Sequence, residues 1–136
     1  RRLNPAAELN SALQLERSME ALSSLFSLPH SVAITVPSTN DVDEQISVLH
    51  HDAEVMEIIG QLSRLFGGAT ATPGEGGWIS PSAGLVTEKV TIVESSCTEE
   101  DFQASLSKAV KVAEALKARM RQDAVALRVD GKLFLV

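Results

Sequence analysis

Apolar residues along this chain follow two rhythms. Recurrence every three or four positions predicts a one-sided helix, and strict alternation predicts a half-buried strand. The first helical rhythm covers residues 5–27. Ala12, Leu15, Met19, Leu22 and Phe26 are spaced 3, 4, 3 and 4 apart, a heptad-like seam that Leu9, Leu13 and Leu25 widen. Asn4 followed by Pro5 offers an N-cap and a proline at the first helical position, and Pro29 ends the segment. Residues 31–36 alternate, with Val32, Ile34 and Val36 on one face, and Pro37 closes the strand. After a polar, acidic stretch, Ala53, Met56, Ile59, Leu62 and Phe66 predict a helix over about residues 50–66, stopped by Gly67-Gly68. Residues 69–79 are glycine-rich and contain Pro73, so they predict an irregular strand at an edge or with a bulge.

Residues 81–84 make a turn, and residues 85–94 are the clearest strand of the chain. Thr98 then caps a helix whose first turn holds Glu99, Glu100 and Asp101. Phe102, Leu106, Ala109, Val110, Ala113, Leu116 and Met120 share its apolar stripe, while Lys108, Lys111 and Arg119 form an opposite, solvated face. Two strands, residues 124–129 and 132–136, flank Asp130-Gly131, a strong two-residue hairpin signal.

Beyond the first helix the order is β-α-β-β-α-β plus one strand. This pattern predicts an α+β, ferredoxin-like antiparallel sheet with a C-terminal hairpin strand, both helices on one face, and strands 31–36 and 85–94 at its centre. Two units result: an N-terminal amphipathic helix over residues 1–28 and the α+β domain over residues 29–136. An ordinary unit of this kind needs no third helix, so the seam of the first helix must be covered by its own domain or by another subunit. The polarity of Thr87, Lys89 and Thr91 tilts the expectation toward a dimer.

Four short stretches carry a resemblance: Phe66-Gly67-Gly68-Ala69-Thr70, Gly77-Trp78, Gly84-Leu85-Val86-Thr87-Glu88 and Gln122-Asp123-Ala124-Val125. In these the chain resembles an uncharacterised family of small bacterial hypothetical proteins, a domain of unknown function with the same β-α-β-β-α-β order. The resemblance spans about residues 31–136, leaves the first helix outside it, and implies a fold without an activity.

Composition narrows the classes. The chain has 136 residues, 44% apolar and 22% charged, an ordinary globular mix; with four Phe, one Trp and no Tyr the core must be aliphatic. Twelve basic against eighteen acidic side chains give a net charge of −6, which disfavours nucleic acid and anionic membranes as partners. Residues 29–60 hold six acids and no Lys or Arg, equal to the whole net charge. No apolar run reaches the ~18–20 residues of a membrane span. The polar start from Arg1 lacks the apolar segment of a signal peptide, and a first residue other than Met suggests a trimmed chain. A reducing, cytoplasmic setting is the resulting expectation.

Chemistry-bearing residues are few. Glu88 shares strand phase with Val86, Val90 and Ile92; if that face lies under the helices, its carboxylate needs donors, a cation or a proton. It is then either a structural carboxylate bonded to backbone N–H groups or an Arg, the favoured reading, or a ligand-binding acid. Trp78 reads as a cap over one end of the core or as a partner anchor. His50, His51, Asp52 and Glu54 carry metal-type donors, but adjacent residues on a helix point ~100° apart, so a site would need Asp41, Asp43 or Glu44 as well. Gly74-Glu75-Gly76 fails the dinucleotide fingerprint because Ile79 holds its last glycine position, and the cluster lacks the lysine of a phosphate loop. Cys97, the only cysteine, excludes an intrachain disulfide. It precedes a helix N-terminus, where the dipole can lower a thiol pKa, but no His is placed beside it.

These residues favour a non-enzymatic binding or assembly module that self-associates, as a homo-oligomer (dimer) or through a helix-mediated partner, with no cofactor and no metal. The alternative is a small enzyme or small-ligand-binding domain with a pocket near Glu88, Trp78 and Gln122.

Overall fold

A computed structural model describes residues 4–40 and 44–136. In chain order the elements are α1 (Pro5–Ser23), β1 (His30–Pro37), β2 (Thr39–Asn40), β3 (Glu44–Gln45), α2 (Val48–Phe66), β4 (Thr70–Ser80), β5 (Gly84–Cys97), α3 (Glu99–Arg119), β6 (Ala126–Val129) and β7 (Lys132–Leu135). Five strands form one antiparallel sheet in the order β4-β5-β1-β6-β7, the interleaved arrangement expected of β-α-β-β-α-β with an added strand; β2 and β3 pair as a separate ribbon. The fold is therefore α+β, and β1 is its central strand. Among the described residues no helix is long and apolar enough to cross a membrane.

The core lies between the sheet and two helices. Val32, Ile34 and Val36 of β1 are fully buried, and Ile58 and Leu62 of α2 and Ala113 and Leu116 of α3 close over them. Alanines at 109 and 113, both fully buried, suit the contact between α2 and α3 because a small side chain permits close approach. The stripe of α2 differs from the predicted one. Val55, Ile58, Leu62 and Phe66 are its buried residues, whereas Met56 is 64% exposed. The helix carries two adjacent apolar rows, and the rows satisfy the same period about 100° apart.

Local signals explain the element ends. The Asn4 side chain accepts from the Ala7 N–H at 2.8 Å, Ser47 caps α2 three residues before its predicted start, and Thr98 accepts from the Asp101 N–H at 3.1 Å. Helix α1 stops at Ser23, short of residue 27, where the Ser23 and Ser24 hydroxyls donate back to the carbonyls of Glu20 and Ala21 and compete with a continuing helix. Gly67, at φ 96°, stops α2. Asp130 at φ 49° and Gly131 at φ 81° both take the left-handed region that a two-residue type I′ hairpin requires.

Strand β5 corrects a sequence expectation. Its register against β1 pairs Ile34 with Val93 and Val32 with Ser95, and Val93, Ser95 and Cys97 are buried under the helices. By alternation Glu88, Val90 and Ile92 belong to the opposite face, not to the helix-covered one. Pairing with β1 ends at Val90, so residues 84–89 of β5 have only β4 beside them. The outer β4–β5 hairpin thus reaches past the end of β1.

Helix α1 stands apart. None of its residues is buried.

Candidate functional site

The sheet end at the C-terminus of β1 gathers three of the polar side chains that the sequence singles out, Glu88, Gln122 and His51. After Pro37 the chain leaves the ladder, and the groups that would have continued it turn to Glu88. Its Oε1 accepts the Ser38 N–H at 2.9 Å and the Thr39 hydroxyl at 3.0 Å. Oε2 accepts no hydrogen bond among the described residues. Glu88 is half-buried here because of this strand exit, not because it lies under the helices.

Gln122 reaches the same place from the other side. Arg121, at φ 50°, turns the end of α3 so that the Gln122 N–H donates to the Lys117 carbonyl at 3.0 Å, a Schellman-type closure without glycine. The Gln122 side-chain amide then donates to the Thr39 carbonyl at 2.8 Å and the Met120 carbonyl at 3.1 Å. Thr39 therefore links Glu88 to Gln122. His51 completes the wall: Nδ1 lies 2.9 Å from the Pro37 carbonyl and Nε2 lies 2.8 Å from the Thr91 hydroxyl. A carbonyl only accepts, so Nδ1 carries a proton and donates to Pro37.

Trp78 does not join this group. It pairs with Val86, two residues further out than the Gly76–Glu88 pair, and is 50% exposed on the projecting hairpin. It is no part of the core cluster, which corrects the reading as a core cap. Three surface grooves, of about 750, 640 and 390 Å³, lie elsewhere, and none is lined by Glu88, Trp78 or Gln122.

The histidine pair diverges. His51 points inward as described while His50 is exposed, and no group of three metal-type side chains converges among the described residues. Asp41 and Asp43 lie outside the described residues. Glu54 instead pairs with Arg119 at 3.2 Å, tying α2 to α3. Cys97 is fully buried; burial first, then the nearby carboxylates of Asp101, Asp130 and Glu99, push its thiol pKa up. Burial and the raised thiol pKa both disfavour the thiolate that a reactive cysteine needs.

A second polar centre, which the sequence reading does not find, lies at the opposite end of β1. His30 donates from Nδ1 to Asp130 at 2.7 Å and from Nε2 to Glu99, and its ring stacks on Phe102 with centroids 3.9 Å apart and planes 8° from parallel. Asp130 also accepts the Ser31 N–H at 2.9 Å. The bonds to Glu99 and then Asp130 raise the imidazole pKa, and the same contacts lower those of the carboxylates: Glu99 chiefly through His30, Asp130 chiefly through the Ser31 N–H and then His30. An imidazolium with both nitrogens engaged has no lone pair for a metal or a base reaction. It ties β1, the start of α3 and the β6–β7 turn together. Its partners are 69 and 100 residues away along the chain, a separation that no local motif encodes.

No protein-family model matches the chain, and no curated protein matches it. Solved structures similar in fold include two phage SAM lyases. A phage SAM lyase in complex with S-methyl-5′-thioadenosine superposes with a TM-score of 0.57 at 16% identity, over 82% of this chain and 92% of that one. A phage SAM lyase in the apo state gives a TM-score of 0.54 at 18% identity, over 79% of this chain and 87% of that one. At these identities the likeness is one of fold.

Proposed function

We propose that this protein is a non-enzymatic assembly module that self-associates through surface its own fold leaves uncovered. The observation that carries the reading is α1. Its 19 residues hold an apolar stripe, yet none is buried, and Leu15, Met19 and Leu22 are 63%, 57% and 58% exposed. In proteins most of a helix's stability comes from tertiary packing of its apolar face. Covering one large apolar side chain contributes about 1.5–3 kcal/mol, so a partner surface changes the balance decisively. The edge strand β7 adds the exposed Leu133, Phe134 and Leu135 to the same need for cover. Sedimentation equilibrium of the intact chain across micromolar concentrations tests this. A mass near twice 14.5 kDa is expected, and the mass of one chain throughout overturns the reading.

A second reading, a small-ligand site at Glu88, is favoured by one observation. The similar lyase binds S-methyl-5′-thioadenosine. In this chain Glu88 keeps Oε2 open as an acceptor for a hydroxyl or a cation beside Thr39 and Gln122. Calorimetric titration with S-methyl-5′-thioadenosine separates the readings: heat that disappears in Glu88→Ala supports the site, and no heat in the parent removes it.

A further inference from the structure

We infer that the apolar groove between α3 and the β6–β7 hairpin is the seat for α1 of a second copy of this chain. This rests on the self-association reading and adds where the contact is made. The groove holds about 750 Å³; Leu106 and Val110 of α3 form one wall, Leu127 and Val129 of β6 the floor, and Phe134 and Leu135 of β7 the other wall.

Length, chemistry and charge all fit a helix of this kind. Along α3 the lining runs from Leu106 to Lys117, eleven residues or about 16 Å. On α1 the stripe from Ala12 to Leu22 covers ten residues, about 15 Å. Advancing ~100° per residue sets Glu16 and Glu20 together along one flank of that stripe, Gln14 and Ser18 along the other, and Arg17 away from it. The groove is charged in a matching way. Lys132 stands 5.8 Å from the Phe134 ring on the β7 side, whereas Glu114 and Lys117 both line the α3 side. Seated with its acidic flank toward Lys132 and its neutral flank toward Glu114 and Lys117, α1 sets its acids against a cation and keeps them away from Glu114.

The occupant comes from another copy because the chain's own helix is elsewhere: no α1 residue lines this groove and none is buried. Each copy offers one stripe and one groove. Reciprocal seating about a two-fold axis uses both and closes the assembly at two chains.

The test uses the full chain. Met19 and Leu135 are 57% and 73% exposed, and Cys97 is fully buried, so Met19→Cys and Leu135→Cys each add one reactive thiol without disturbing the core. Mixing the two single variants, distinguished by a mass tag, and treating them with a flexible bis-maleimide is expected to join α1 of one chain to β7 of the other. Leu15→Asp, which puts a carboxylate on the stripe, is expected to raise the dimer dissociation constant at least about tenfold. A parent that associates but yields no adduct between copies, or a Leu15→Asp chain that associates as the parent does, overturns the seat and leaves self-association standing. A parent that is a single chain at every concentration overturns both. An adduct confined within one chain of the doubly substituted protein means that its own helix closes the groove, and it overturns the seat as well.

Discussion

Glu88→Ala removes the acceptor that the Ser38 N–H and the Thr39 hydroxyl share at 2.9 and 3.0 Å. A hydrogen bond to a charged group contributes ~1.5–3 kcal/mol net when fully sheltered, and a buried donor left unpaired costs ~1–3 kcal/mol. Glu88, Ser38 and Thr39 are all half-buried, and the Thr39 hydroxyl can rotate to water. Only the fixed Ser38 N–H loses its partner outright, so the expected destabilisation is about 1–2 kcal/mol. With a urea slope of ~2 kcal/mol per M the unfolding midpoint falls by about 0.5–1 M. Glu88→Gln retains an Oε1 acceptor for both donors and is expected to lose less than about 0.5 kcal/mol. Adding Thr39→Val to Glu88→Ala costs less than Thr39→Val alone does, because the shared bond is already gone. Equal midpoints for parent and Glu88→Ala, or Gln as harmful as Ala, refute the reasoning.

Three other outcomes follow from the same geometry. Ile34→Ala, at a fully buried position of the central strand, is expected to cost ~2–5 kcal/mol in chemical denaturation; a loss below about 1 kcal/mol contradicts the assigned core. The His30 centre makes stability depend on pH at both ends. A raised imidazole stabilises fully below its ordinary value of 6.5 and loses this as pH climbs through the raised value; the lowered carboxylates stabilise above their ordinary 4.5 and 3.8 and lose it as pH falls through the lowered values. The stability difference between parent and His30→Gln is therefore level from pH 4.5 to 6.5 and shrinks on either side, whereas a difference that ignores pH removes the assignment. Cys97 is expected to resist maleimide in the native protein and to react at once in denaturant; prompt native labelling contradicts its burial.

Much of the fold is legible in the sequence because its signals are local. Asn4-Pro5, Gly67, Thr98 and Asp130-Gly131 each act within a few residues, and each marks an element end or turn in the structure. What the sequence hides is set by neighbours distant in the chain. Which face of β5 meets the helices depends on its register with β1: small or polar Thr91, Ser95 and Cys97 take the covered side with Val93, while the more apolar Val86, Val90 and Ile92 take the other. Glu88 is half-buried for a reason that alternation cannot express, the departure of Ser38 and Thr39 from the ladder. The two apolar rows of α2 left its stripe ambiguous, and the Glu99–His30–Asp130 contact has no sequence signature at all. Gln122 and Glu88 do meet through Thr39, while Trp78, on the same hairpin as Glu88, remains outside.

Self-association is tested most directly by analytical ultracentrifugation of the intact chain beside a chain lacking residues 1–28. Every core residue lies from Val32 onward, so the shortened chain keeps the whole core and loses only α1 with part of its link to β1. The account predicts a mass near twice 14.5 kDa for the intact chain at micromolar concentrations and a single-chain mass for the shortened one. Single-chain masses for both, or an unchanged assembly after removal of α1, contradict it.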